Sequence, residues 1–117
     1  MMYNIKVNKK QLEIMNQALH NFMRSEIGQF QYAFDNWNFQ NLWKSGLTTL
    51  QIEWLEELFN RNELNQMFGH TENSEIAFDL HQVFRHQLWK ENENRLSNVC
   101  DSVTKFGNEK LAKIEVE

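Results

Sequence analysis

Apolar residues in this chain recur at intervals of three and four over long stretches, and that period constrains the fold more than any other feature. Leu12, Met15, Ala18, Leu19, Phe22 and Met23 fall on one face of a helix, because residues three and four apart are neighbours on a helical surface. The stripe continues through Ile27, Phe30, Phe34 and Trp37, so the spacing predicts a first helix from about Lys9 to Trp37, with room for a kink or short break near Gly28. Asn8 stands three residues before Gln11, the arrangement of a capping box. A second helix is expected over "LQIEWLEELFNRNELNQMF", capped by Thr48 or Thr49 and closed by Gly69, with Ile52, Leu55, Leu58 and Phe59 buried. A third, "SEIAFDLHQVFRHQLWKEN", opens at Thr71 or Asn73, and Ile76, Ala77, Leu80, Val83, Phe84 and Leu88 form its apolar stripe.

The ends carry a different period. Tyr3, Ile5 and Val7 alternate in "YNIKVN", as the residues of a short strand do. Ala112, Ile114 and Val116 alternate in "LAKIEVE" and can pair with it, while "RLSNVCDSVTKF" reads as a further extended segment before a loop at Gly107. The expected fold is therefore mainly α, with three principal helices and a small β element formed by the N- and C-terminal segments. The chain has no proline and no internal repeat, and residues 1–117 read as a single domain.

Composition narrows the function classes. With 41% hydrophobic residues, nine Phe and four Trp, the chain has the material for a core. The single cysteine, Cys100, excludes an internal disulfide and suits a reducing cytosol. One Cys and four scattered His do not make metal-ligand spacing, so no metal site is expected. A net charge of −4 and no basic stripe argue against duplex nucleic acid as a partner. "MMYNIKVNKK" lacks the apolar run of a signal peptide, and no stretch approaches the roughly 18 apolar residues of a membrane span. The expectation is a cytoplasmic protein without a membrane partner.

No phosphate-binding loop, dinucleotide fingerprint, nucleophile elbow or zinc-protease motif is present. Nothing places a histidine beside Cys100, and Glu56 and Glu57 are adjacent, so on a helix they point apart. No catalytic residue and no cofactor is expected, and binding is favoured over catalysis. Three features bear on binding. Arg24 and Gly28 are four apart on one face, where a glycine admits either a tightly packed helix or a ligand; Gln29 beside them offers donors and an acceptor. Asp79, Gln82 and His86 share one side of the third helix with Arg85 next to them, either as a solvated face or as a set able to hold a phosphate or read a base edge. Trp37, Phe39, Trp43, Trp54 and Trp89 suit a core or an oligomer interface better than a stacking platform.

Two blocks carry a resemblance. "IKVNKKQLEIMNQALHNFMRSEIGQF" followed by "IAFDLHQVFRHQLW", in a chain ending "KIEVE", resembles a family of small proteins encoded by tailed phages and prophages. The resemblance covers about the first 34 residues, Ser74 to Trp89, and loosely the tail. Residues Asn36 to Asn73 are unmatched, and the family's Gly/Pro-rich turn before its last strands is replaced by "ENENRLSNVCDSVTKFGNEKLAKIEVE". The resemblance implies an accessory role in infection. By analogy with small phage proteins that counter bacterial immunity, it implies sequestration of a nucleotide-derived immune messenger, a cyclic oligonucleotide or ADP-ribose derivative, by a homo-oligomer in the host cytoplasm. The family motif positions present are Arg24, Gly28, Gln29 and Phe30 in the first block and Asp79, Gln82, Arg85 and His86 in the second. The expected ligand site gathers these eight residues. The alternatives are an inhibitor or adaptor that binds a host defence protein directly, and a virion assembly factor.

Overall fold

The structure is a computed structural model, and it describes residues 1–29, 46–59, 69–96 and 98–117. Three helices lie within them: α1 (Lys9–Glu26), α2 (Thr49–Phe59) and α3 (Glu72–Glu91). Each starts on a reciprocal cap, which satisfies backbone N–H groups that a helix start leaves unpaired. The Asn8 side chain accepts from the Gln11 N–H, and the Gln11 side chain from the Asn8 N–H, both at 2.8 Å. Thr48 and Gln51 exchange the same pair of bonds before α2, at 3.0 and 3.2 Å. Before α3, Thr71 pairs with Ser74 at 2.8 and 3.0 Å, and Ser74 is fully buried.

α1 ends at Glu26, where the sequence left room for a break near Gly28; residues 30–37 of the expected helix lie outside the described residues. The ending is set by Gly28. Its φ is +85°, a left-handed conformation that suits glycine. The Gly28 N–H donates to the Ser25 carbonyl at 3.2 Å and the Gln29 N–H to the Arg24 carbonyl at 2.8 Å. That pair of bonds is a Schellman motif, which closes a helix however well the apolar stripe continues beyond it. The remainder of that stripe, Phe30, Phe34 and Trp37, lies outside the described residues, as do Phe39, Trp43 and the side chain of Phe59.

α1 and α3 pack against each other and run antiparallel: the Thr71 hydroxyl at the start of α3 donates to Glu26 at the end of α1 at 3.2 Å, while His81, further along α3, meets the Asn16 carbonyl. Between them lie Met23, Ile27 and Ala77, with Leu19 and Phe78 packed on these. In α2, Ile52 is fully buried, whereas Leu55 and Leu58 are half-buried. The apolar stripe expected for α3 supplies only two of its seven buried residues. Ala77 and Phe84 are buried, but so are Ser74, Asp79, His81, Gln82 and Gln87.

No strand is present among the described residues, which corrects the expected β element. Tyr3, Ile5 and Val116 are largely exposed, and an ion pair between Lys6 and Glu117, at 2.9 Å, joins the two terminal segments. Alternation specifies which face of a strand is apolar, but it supplies no partner, and an isolated two-stranded pairing is marginal in water. The segment before them has a different anchor. Leu96 and residues 98–107 run back along α3, held by its side chains.

Candidate functional site

The polar side of α3 is built into two structures. The first is a latch on the chain's own tail. Asp79, buried, accepts the N–H groups of Phe106 and Gly107, one on each carboxylate oxygen, both at 2.8 Å. One turn on, the Gln82 amide meets Thr104 twice: it donates to the Thr104 carbonyl at 2.7 Å and accepts the Thr104 N–H at 2.9 Å. Arg85 donates to the Val99 carbonyl at 3.3 Å, the His86 Nδ1–H to the Cys100 carbonyl at 2.9 Å, and the Trp89 indole to the Leu96 carbonyl at 2.8 Å. Every one of these bonds is to main chain. Gly107 fits because it has no side chain: a Cβ there would stand 3.1 Å from the Asp79 carboxylate and 3.4 Å from the Glu75 Cβ. Asp79, Gln82 and His86, expected at a ligand, thus form a strap clamp with Arg85 and Trp89.

The second structure is a cationic seam between α1 and α3. Asn16, His20 and Arg24 recur every four residues along α1, and His81 and Arg85 are four apart on α3. The His20 and His81 rings lie 5.5 Å apart. His81 is buried, and its pKa is lowered from 6.5 to about 4, first by loss of hydration and then by the electrostatic influence of Arg85, His20 and Arg24; the contact with the Asn16 carbonyl acts in the opposite sense. Neutral His81 carries its proton on Nδ1, because its neighbour at 3.3 Å, the Asn16 carbonyl, can only accept. That leaves Nε2 as an acceptor.

Arg85 reaches both structures. Its guanidinium holds Val99, lies 5.8 Å from the centre of the Phe78 ring, and acts on His81. Its Nε is buried and has no hydrogen-bond partner among the described residues, and the same is true of the Asn16 side-chain oxygen. On α1, Arg24 donates to the Gln29 side-chain oxygen. Gly28, buried next to Gln29, turns the chain that brings Gln29 back to Arg24. Of the expected site residues, Arg24, Gly28 and Gln29 therefore cluster at the end of α1, and Arg85 faces the same seam from α3. Phe30 lies outside the described residues. His20, His81 and Asn16 were not among the expected site residues; their four-residue spacing to Arg24 and Arg85 was the signal that could have found them.

No group of three or more His, Cys, Asp or Glu side chains is placed to hold a metal ion among the described residues. No helix there is long and apolar enough to cross a membrane. No protein-family model, curated protein or solved structure matches the chain. The class that fold and site define is a helical protein with a basic, histidine-containing seam.

Proposed function

We propose that the protein is a non-catalytic binding protein for a phosphate-bearing, nucleotide-derived ligand, an anti-defence sponge of the kind its phage-like sequence blocks suggest. One observation carries the reading: the Nε of Arg85 is buried with no hydrogen-bond partner among the described residues, on a helix packed against the one that carries Arg24. Guanidinium groups hold phosphate oxygens by charge-assisted hydrogen bonds. The buried Nε of Arg85 and the acceptor Nε2 of neutral His81 add a donor and an acceptor of the sort a phosphodiester and a base or ribose edge require. Gln29, held by Arg24, offers its amide as a further polar group, and Phe30 follows it in sequence as the candidate for stacking. Asp79, Gln82 and His86 support this site indirectly, since they fix the strap that Arg85 also holds.

The test is a thermal-shift screen of the purified chain against cyclic di- and trinucleotides and ADP-ribose derivatives, with the ligand recovered after denaturation. A ligand at about 100 times its dissociation constant stabilises the fold by about 2.7 kcal/mol, several degrees at the midpoint. Sequestration requires a shift with the ligand recovered intact, abolished in Arg24→Ala while the helical circular dichroism is kept. An altered ligand would make the protein an enzyme, and the absence of any shift would remove the proposal.

A second reading has its own observation. Leu50 and Trp54, one turn apart on α2, are 76% and 64% exposed, and with Gln51, Glu53 and Glu57 they line an open concavity. Large exposed apolar side chains in such an arrangement suit direct contact with a host defence protein. Loss of function in Trp54→Ala with Arg24→Ala unaffected would favour it.

A further inference from the structure

The terminal segments carry a β signal that has no use within the chain. Tyr3, Ile5 and Val7 on one side, and Ala112, Ile114 and Val116 on the other, keep strict alternation. Yet no backbone hydrogen bond joins the two segments, and Tyr3, Ile5 and Val116 are 79%, 74% and 70% exposed. Unpaired segments of this pattern are templates for another chain. From these observations we infer that the two terminal segments form an isologous interface with a second copy of this chain, in which residues 3–7 of each copy pair with residues 112–116 of the other. The inference stands apart from the ligand site.

Charge selects a second copy as the occupant. The patch has an apolar middle, Tyr3, Ile5 and Val116, and a rim that carries both members of an ion pair formed within the chain, Lys6 and Glu117. A surface bearing its own counter-charges is complementary to itself after a two-fold rotation, since each Lys6 then exchanges its own Glu117 for the other copy's and no charge is left without a counter-charge. A partner of one sign would oppose half of it.

The experiment is native mass spectrometry and light scattering on the full chain at low salt. The wild type is expected at twice 14.1 kDa, and Ile5→Asp is expected at the monomer mass with its helical circular dichroism unchanged. A monomeric wild type, or a dimer that survives Ile5→Asp, overturns the inference. The charge contact has its own test. In an exchanged dimer of Lys6→Glu with Glu117→Lys, both interfacial pairs are opposite in sign, whereas each variant's own homodimer sets like charges together. An equimolar mixture is expected to form heterodimers above the statistical half, and a statistical distribution would overturn the exchanged pairing.

Discussion

At the scale of single residues, the two halves of the polar face make different demands. Asp79 is a buried carboxylate whose two hydrogen bonds both close the strap. Asp79→Ala leaves two backbone N–H groups without their acceptor, and hydrogen bonds to a charged group are worth about 1.5–3 kcal/mol. A loss of about 2–3 kcal/mol is expected in urea denaturation, with the Gly107 amide losing its protection from hydrogen exchange. His81 makes stability depend on pH. Its folded pKa, about 4, lies below its ordinary value of 6.5, so between those values the unfolded chain takes up a proton that the folded chain refuses. The contribution is present in full above 6.5 and is lost as pH falls toward 4, to an extent of about 3 kcal/mol. Denaturation midpoints measured across that window should fall for the wild type and flatten in His81→Gln. The groups that set this value face His81 from both helices: Arg85 from α3, and His20 and Arg24 from α1.

At the scale of elements, the helix starts were legible because capping is local. Asn8–Gln11 was read in full, and the Thr48 and Thr71 caps were each one of two options, decided by where the side-chain bonds close. Thr71→Ala removes both its cap bond and its contact to Glu26, and about 1 kcal/mol of stability should go with it. The close of α1 was legible only as room for a kink or short break near Gly28, because apolar period continues past that glycine, while the Schellman motif depends on two backbone bonds that period does not encode. Gly28→Ala should cost about 1–2 kcal/mol, the penalty of a Cβ in the left-handed region. The site was partly legible for a related reason. Asp79, Gln82, Arg85 and His86 do share a side of α3, as their spacing requires. Sequence spacing says which residues are neighbours on a helix, and it does not say that Leu96 and residues 98–107 return to occupy them.

At the scale of the whole molecule, the seam and the strap are coupled through Arg85. A phosphate-bearing ligand held between Arg24 and Arg85 would offset the positive charge that lowers the pKa of His81. Binding should then take up a proton when pH lies between about 4 and 6.5, and titration calorimetry in buffers of different ionisation heat measures that proton directly. Uptake should vanish in His81→Gln. The chain is also open in form, with a radius of gyration of 16.9 Å against about 13 Å for a compact domain of this length. Much of its apolar side-chain surface, Ile14, Phe22, Leu50 and Trp54 among it, remains available to other molecules.

The strap has a practical use that its attachment makes possible. α3 grips it at Thr104, Phe106 and Gly107 by peptide groups, so the side chain at 104 is close to free text while the peptide beneath it is fixed. Thr104→Cys gives an attachment point for a fluorophore that should leave the fold intact once Cys100 is replaced by Ser, whereas Thr104→Pro, which deletes the N–H that Gln82 accepts, should release the strap. A dye written there rides on the same strap that Arg85 holds at Val99, and so reports on whether that strap is held or released.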